Sequence, residues 1–238
     1  MKKTWLAAAL ATAITAPTAF ANELTTDEQK LSYSLGLIVG GQLHTEVKEL
    51  DLDAFQQGLK SVYANEKPAL TQEEVNQVMV TFQQKKMEEQ RQAVAKLAQD
   101  NLEKGQKYLA DNGKKDGVTT TQSGLQYQEL KAGNGKQPTA TDMVKVHYRG
   151  TLVDGSEFDS SYARGEPVTF PLNGVIAGWT EGVQLMKEGG KGRFVIPSDL
   201  AYGPGGMGNA IGPNETLVFE IELLEVAPKA EGEAKGAN

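Results

Sequence analysis

Apolar residues recur at helical spacing along the first part of the chain. Residues 27–43 place leucine, isoleucine and valine three or four positions apart, which predicts a helix capped by Thr25 or Thr26. A second, shorter helix is predicted over 51–63, where four apolar residues share one face: Leu52, Phe55, Leu59 and Val62.

A third and much longer helix is predicted from residue 71 to about residue 112. Thr71 and Glu74 have the spacing of a capping box, and neither glycine nor proline follows until Gly105. At 1.5 Å per residue, roughly 40 residues give a rod about 60 Å long. Residues 83–92 are polar on nearly every side, which is typical of a helix that bridges solvent between domains.

The apolar stripes of these helices are too thin to make a core for one chain. Val75, Val78, Met79 and Phe82 add only one more short stripe at the start of the long helix. Burial against a second copy would supply the missing area, so we expect a homodimer through residues 22–82. Gly36 and Gly40 lie one helical turn apart, which either permits close approach of two helices or is simply tolerated.

Beyond Gly113 the pattern alternates between apolar and polar residues. Strands are predicted over five segments: 125–130, 143–150, 168–170, 192–196 and 217–223. Asp154-Gly155 is a tight-turn pair, and one helix is expected around 179–186. The predicted fold class is therefore α+β, with a C-terminal antiparallel β-sheet wrapped on one short helix after an all-α N-terminal domain and a long connecting helix.

The N-terminal residues have the features of a secretory signal peptide. Lys2 and Lys3 precede an apolar stretch over 5–14, and Ala19-Phe20-Ala21 offers small residues for cleavage after Ala21. A membrane anchor would need about 20 apolar residues, and Pro17 interrupts this stretch. The expected parts are thus a signal peptide at 1–21, a helical domain at 22–113, a sheet domain at 114–227 and a disordered tail at 228–238.

Charge and cysteine content exclude several classes of function. Without Lys2 and Lys3 the formal charge of −7 becomes −9, which argues against nucleic acid and anionic lipid as partners. The sequence contains no cysteine, so a lipid anchor on cysteine and a disulfide are excluded. His44 and His147 are far apart, and we expect neither a metal nor a cofactor. The glycines of 203–208 match a dinucleotide-binding fingerprint, but no helix can follow Gly212-Pro213, so a loop is predicted.

Five ordered segments carry a specific resemblance. They are Val146-His147-Tyr148-Arg149-Gly150, the run 154–161, the run 175–183, Ile196-Pro197-Ser198-Asp199-Leu200-Ala201-Tyr202-Gly203, and the run 217–224. In this order and spacing they resemble the FKBP family of peptidyl-prolyl cis/trans isomerases over residues 117–227. The preceding helices are similar to the dimerisation domain of the periplasmic FkpA- and Mip-type members of that family.

The resemblance implies an apolar pocket with Trp179 as its floor and Asp159 at its rim, held by Tyr148 and Arg164. It implies six catalytic residues: Tyr148, Phe158, Asp159, Trp179, Tyr202 and Phe219. Five more would bind substrate: Arg164, Phe170, Val175, Ile176 and Ile211. The backbone N–H of Ile176 and the hydroxyl of Tyr202 would donate to ligand carbonyls. Met207 and the run 209–213 depart from the family pattern, which leaves the sequence preference open.

The resemblance implies two possible functions, which do not exclude each other. The chain is expected to be a periplasmic isomerase acting on X-Pro bonds of folding proteins, inhibited by macrolide immunosuppressants, without nucleic-acid partners or a membrane span. An apolar, dry pocket favours the twisted amide, because its carbonyl depends less on water than the planar one. The alternative is a holdase chaperone or proline-binding module in which the helical arms grip unfolded chains.

Overall fold

The computed structural model describes residues 23–228, and the predicted signal peptide and nearly all of the predicted tail lie outside the described residues. Within the described part, two compact units divide between Val75 and Asn76. No helix in that part combines the length and apolar character needed to cross a membrane.

Three helices form in the first half of the chain because local caps start each of them. Helix α1 spans Asp27–Glu46, and its cap Thr26 forms a capping box with Gln29. Helix α2 spans Leu52–Tyr63, and the Asp51 carboxylate accepts from the Ala54 N–H. Helix α3 runs without a break over Gln72–Asn112. All three predicted helices are confirmed.

The capping box predicted for α3 is present. The Glu74 N–H donates to the Thr71 hydroxyl at 3.2 Å, and the Thr71 N–H donates to the Glu74 carboxylate at 2.8 Å. Both hydrogen bonds satisfy backbone N–H groups that the first helical turn leaves unpaired.

The second half forms one seven-stranded antiparallel sheet. The strands are β1 (Val118–Thr120), β2 (Gln126–Lys131), β3 (Met143–Leu152), β4 (Glu157–Ser160), β5 (Val168–Pro171), β6 (Lys191–Ile196) and β7 (Leu217–Ala227). Their order is β1-β2-β6-β7-β3-β4, and β5 also pairs with β3. The five predicted strands and the α+β fold are confirmed, whereas β1 and β4 were not predicted.

Two short helices complete the second unit: α4 (Ser161–Arg164) and α5 (Ala177–Val183). Alternate residues of β3, β6 and β7 face α5 and form the core, with Val146, Phe194 and Ile221 each at most 1% exposed. The predicted helix around 179–186 is confirmed, while α4 was not predicted. The predicted turn is present too: Gly155 has φ +91° and donates to the Leu152 carbonyl at 3.1 Å.

The C-terminal part of α3 packs on this sheet within the second unit. Asn101, Gly105 and Asn112 are buried there. The Asn112 amide donates to the Gln126 side chain of β2 at 2.9 Å, and the guanidinium of Arg193 in β6 donates to the Tyr108 hydroxyl at 2.7 Å. The second compact unit begins at Asn76 and therefore includes nearly all of α3. The predicted domain boundary at 113/114 remains a prediction.

Candidate active site

Helix α5 places Trp179 against the sheet because glycines flank it on the packed side. A Cβ on Gly178 would lie 2.3 Å from the Ile196 side chain, and one on Gly182 would lie 2.8 Å from the Phe194 ring. Only a residue without a side chain allows the helix to approach β6 so closely. Trp179, on the first turn of α5, is consequently 5% exposed.

Three aromatic rings surround the indole of Trp179. The Phe219 and Tyr148 rings each meet it edge-on with centroids 5.1 Å away, and the Phe170 ring is tilted at 5.5 Å. Edge-to-face geometry at this distance is the favourable arrangement for aromatic pairs. We call the set formed by Tyr148, Phe158, Phe170, Trp179 and Phe219 the aromatic cluster.

Phe158 joins the cluster through Phe219, with ring centroids 5.5 Å apart and 86° between the ring planes. Gly150 in β3 makes room for both rings, because a Cβ there would lie 2.7 Å from each of them. A glycine in the middle of an otherwise alternating strand signals such a close approach. In the sequence Gly150 is recognised only as part of a family motif. The structure shows that it makes room for two aromatic rings.

Asp159 follows Phe158 and is held by two donors. The Tyr148 hydroxyl donates to Oδ2 of Asp159, and the Arg164 guanidinium donates to Oδ1. The same guanidinium donates to the Tyr148 hydroxyl at 2.7 Å and lies over the Tyr148 ring, 5.5 Å from its centroid. Three side chains from β3, β4 and α4 thus form one closed network.

The pKa values of Asp159 and Tyr148 in this network are shifted in opposite directions. Burial by itself would raise the pKa of the Asp159 carboxyl, but the hydrogen bonds from Tyr148 and Arg164 outweigh it, so the pKa lies below its ordinary value. Burial raises the pKa of the Tyr148 hydroxyl, and the hydrogen bond to Asp159 raises it further. The site therefore holds an ionised carboxylate beside a neutral phenol at neutral pH.

Ser161 contacts the Asp159 network through the backbone of Tyr148, and it was not among the predicted site residues. Its side chain is fully buried, and its hydroxyl accepts from the Tyr148 backbone N–H at 2.8 Å. The same hydroxyl lies 2.9 Å from Nδ1 of His147, whose ring stacks on Tyr162 at 4.6 Å. No signal in the sequence distinguishes Ser161 from a helix-capping serine, because its role depends on the pairing of β3 with β4.

Two hydrogen-bond donors near the cluster have no acceptor within residues 23–228. They are the backbone N–H of Ile176, directly before α5, and the hydroxyl of Tyr202. Burial raises the pKa of the Tyr202 hydroxyl, and the charge of Asp159 raises it further, so this hydroxyl stays protonated. Both donors are therefore free to meet an acceptor from outside the chain.

The structure brings all eleven predicted site residues to one region of the second unit. Val175, Ile176 and Tyr202 pack on the core that contains Trp179 and Phe219, and Ile211 belongs to that core at 2% exposed. Arg164 contacts the aromatic cluster directly, and Phe170 belongs to it. The geometry places these side chains together, and their separate roles in binding and catalysis remain predictions.

Comparisons with known families cover most of the described chain. Residues 134–224 match the family described as "FKBP-type peptidyl-prolyl cis-trans isomerase", and residues 28–128 match the "Domain amino terminal to FKBP-type peptidyl-prolyl isomerase". The first match contains the whole aromatic cluster. The second contains helices α1, α2 and α3 apart from the first residue of α1.

Individual relatives agree with these matches. "FKBP-type peptidyl-prolyl cis-trans isomerase FkpA" of Escherichia coli is 41% identical, with 98% of this chain and 93% of the relative covered. "Outer membrane protein MIP" of Legionella longbeachae is 40% identical, with 88% and 90% covered. The crystal structure of Escherichia coli FkpA superposes with a TM-score of 0.78 at 41% identity, over 87% of this chain and 99% of that one.

Proposed function

The chain belongs to the FKBP-type peptidyl-prolyl cis/trans isomerases, and on that premise we propose that X-Pro bonds rotate in the aromatic cluster over Trp179. The observation that carries this assignment is the set of edge-on ring contacts between Trp179, Tyr148 and Phe219, next to two unused donors. Such a surface receives a proline ring on apolar faces and the flanking carbonyls on the N–H of Ile176 and the hydroxyl of Tyr202.

Desolvation supplies the differential stabilisation of the transition state. Resonance holds the X-Pro amide planar and opposes its rotation with a barrier of about 20 kcal/mol. In the twisted state the resonance is lost, and the carbonyl oxygen carries less charge and depends less on water. An apolar surface therefore favours the twisted amide over the planar one, and this difference lowers the barrier. A thousandfold acceleration requires only about 4 kcal/mol.

The Asp159 network contributes electrostatics at the edge of this surface. Because Tyr148 and Arg164 hold the carboxylate ionised, a fixed ion pair, with the carboxylate as its negative member, lies beside an otherwise apolar cluster. The charge also lies near enough to Tyr202 to affect its pKa. We assign Asp159 to orienting the polar donors around the twisting amide rather than to proton transfer, since rotation of an amide moves no proton.

The test is a double variant, Phe158→Ala with Asp159→Ala, assayed on a proline peptide. A folded double variant should lose most of the isomerase activity, because water enters the cluster and the charge is removed. The matched control is Tyr162→Phe, whose ring stacks on His147 outside the aromatic cluster and which should keep activity. Full activity in the folded double variant would refute the assignment. A macrolide immunosuppressant should bind the wild type and not the double variant.

We place the mature chain in the periplasm, as a homodimer formed by residues 22–82. In α1 no residue is buried, and Leu31, Leu37 and Ile38 are each at least 60% exposed. A groove of about 1100 Å³ between α1 and α2 is lined mainly by apolar side chains. Uncovered apolar surface of this extent is unusual on a monomer, and a second copy would cover it. Sedimentation should give twice the mature mass, with an N-terminus at Asn22.

A holdase function is the second candidate, and the exposed apolar side chains favour it. On α3, Val78 and Met79 are 58% and 48% exposed, and they are available to unfolded chains where a dimer leaves them uncovered. The dimer should then suppress aggregation of a client without proline while a macrolide blocks the aromatic cluster. Equal loss of both activities with the inhibitor would place the holdase in the isomerase unit instead.

A further inference from the structure

A glycine-rich loop connects two residues of the proposed site. Residues 203–214 follow Tyr202 directly and carry Ile211, and five of the twelve residues are glycine. Gly203, Gly206 and Gly208 have φ between +54° and +63°, where other residues are strained. A loop of this composition loses much conformational entropy when it is ordered, so its position depends on the contacts that fasten it.

Within the loop, a few backbone hydrogen bonds set the shape. Met207 and Ile211 exchange N–H···O bonds of 2.8 and 3.2 Å. The Asn214 N–H donates to the Gly203 carbonyl at 2.8 Å, which closes the base of the loop next to Tyr202. Asn214 has φ +56°, a conformation that asparagine tolerates better than most residues.

Helix α3 fastens this base through side-chain amides. Asn101 is 4% exposed, and its amide donates to the Pro213 carbonyl at 2.9 Å. In the opposite direction, the Asn214 amide donates to the Ala98 carbonyl of α3 at 3.3 Å. One turn further along, a Cβ on Gly105 would lie 2.2 Å from the Thr216 hydroxyl, so the helix and the segment after the loop approach as closely as the backbone allows.

From these contacts we infer that Asn101 is a positioning residue for the isomerase reaction. It holds the base of the loop 203–214 and thereby fixes Tyr202 and Ile211 against the aromatic cluster. The buried amide of Asn101 binds a carbonyl of the loop, so its hydrogen bond acts on the loop directly. This inference rests on the proposed function of the aromatic cluster, and it gives α3 a part in the reaction besides connecting the chain.

The same helix offers a matched control at another of its contacts with the sheet. The Tyr108 hydroxyl accepts from Arg193 in β6, and this contact lies away from the loop. Tyr108→Phe removes one hydrogen bond between α3 and the sheet, as Asn101→Ala removes one between α3 and the loop. A purely structural role of Asn101 in docking the helix predicts equal effects of the two changes.

The experiment compares Asn101→Ala, Asn214→Asp and Tyr108→Phe in the full chain. Asn214→Asp keeps the side-chain size and the tolerance for positive φ but cannot donate to Ala98, so it tests the same link where Asn101→Ala fails to fold. Two quantities are measured: kcat/KM on a proline peptide, and hydrogen exchange of the Met207 and Ile211 amides. We expect kcat/KM to fall about threefold to tenfold in both asparagine variants, the value of roughly one hydrogen bond.

Exchange of the two loop amides should accelerate in both asparagine variants and stay at the wild-type rate in Tyr108→Phe. Wild-type exchange and wild-type kcat/KM in folded asparagine variants would overturn the inference, as would an equal loss in Tyr108→Phe. The double variant of Phe158 and Asp159 is assayed in parallel. If it keeps full activity, the proposed site is wrong. If it loses activity while Asn101→Ala does not, only the role of Asn101 is wrong.

Discussion

The two units of the molecule use their apolar residues in opposite ways. Of the described residues up to Val75, only Ser61 is buried, although α1 and α2 carry leucine, isoleucine, valine and phenylalanine at helical spacing. In the second unit the apolar residues of β3, β6 and β7 are almost fully buried against α5. An apolar stripe thus marks a surface to be covered, and only the fold decides whether the same chain covers it.

The difference has its origin in where each unit finds its hydrogen bonds. Backbone groups of α1 and α2 are satisfied within each helix and by local caps, so these two helices form without a tertiary core. The sheet pairs β3 with β7, which are about 70 residues apart in the sequence, and its strands exist only when distant segments meet. The second unit therefore buries its apolar faces within one chain, whereas the first leaves them open to the partner that we propose.

The largest difference in the free energy of unfolding is expected when one apolar side chain is truncated in each unit and the two variants are compared. Phe219 is 4% exposed and contacts three aromatic rings, so Phe219→Ala should lower the free energy of unfolding by about 3–5 kcal/mol. Leu35 is 54% exposed in a single chain, and Leu35→Ala should cost less than about 0.5 kcal/mol in a monomer. Chemical denaturation with both variants measures the two values.

The result for Leu35→Ala distinguishes a covered face from a free one. A loss of about 2 kcal/mol or more at high protein concentration, shrinking as dilution dissociates the wild-type dimer, would show that a second copy buries Leu35. A negligible loss at every concentration would contradict the proposed dimer at this face. A small loss for Phe219→Ala would contradict the packed aromatic cluster instead.

A smaller effect is expected from adding one methyl group to a glycine of each unit. A Cβ on Gly105 would lie 2.2 Å from the Thr216 hydroxyl, so Gly105→Ala should destabilise the second unit by about 1–3 kcal/mol. At Gly36 an added Cβ would meet no atom within 4 Å in the single chain. Gly36→Ala should then stabilise α1 by about 0.5–1 kcal/mol, because alanine is the better helix former.

The sign for Gly36→Ala decides between the two interpretations of the Gly36 and Gly40 spacing. Stabilisation, measured by thermal unfolding, would mean that the glycine is simply tolerated. Destabilisation with loss of dimer in sedimentation would mean that two helices approach closely at this position. Either result for Gly36 leaves the expectation for Gly105 unchanged, since its contact with Thr216 lies within one chain.

The sequence predicted the elements whose cause is local. Neighbouring residues alone predict a helix cap such as Thr71 with Glu74, and they also predict the strand over 143–150 from its alternation. Both are present in the structure. Strands β1 and β4 are three and four residues long and too short to show a period. Helix α4 is equally short, and it depends on Ser160 as a cap and on Gly165 with φ +78°.

For the candidate site, the residues came from the family resemblance, and their arrangement came from the structure. The Asp159 network needs β3, β4 and α4 in register, and no spacing in the sequence gives that register. Ser161 and Asn101 escaped prediction for the same reason, because each acts through a contact with a residue distant in sequence or in another element. Polar residues buried by tertiary contacts look like ordinary surface residues in the sequence.

The smallest expected effect concerns the acid dependence of stability. Asp159 has a pKa below its ordinary value in the folded state, so its ionised form stabilises the fold relative to the unfolded chain. That contribution is complete above the ordinary aspartate pKa of about 3.9 and is lost as the pH falls through the folded-state pKa. The Asp159 side chain is 39% exposed, so solvent screening keeps the contribution small.

Asp159→Asn removes this contribution while its amide oxygen can still accept from Tyr148 or Arg164. The stability difference between wild type and Asp159→Asn should be constant between about pH 5 and pH 7 and should shrink below about pH 4. Asp53→Asn in α2 changes the net charge equally and serves as the control for general charge effects. Urea unfolding at a series of pH values measures both differences. A wild-type advantage that grows as the pH falls would show that the network does not favour the ionised carboxylate, and Asp159 would then act through its shape alone.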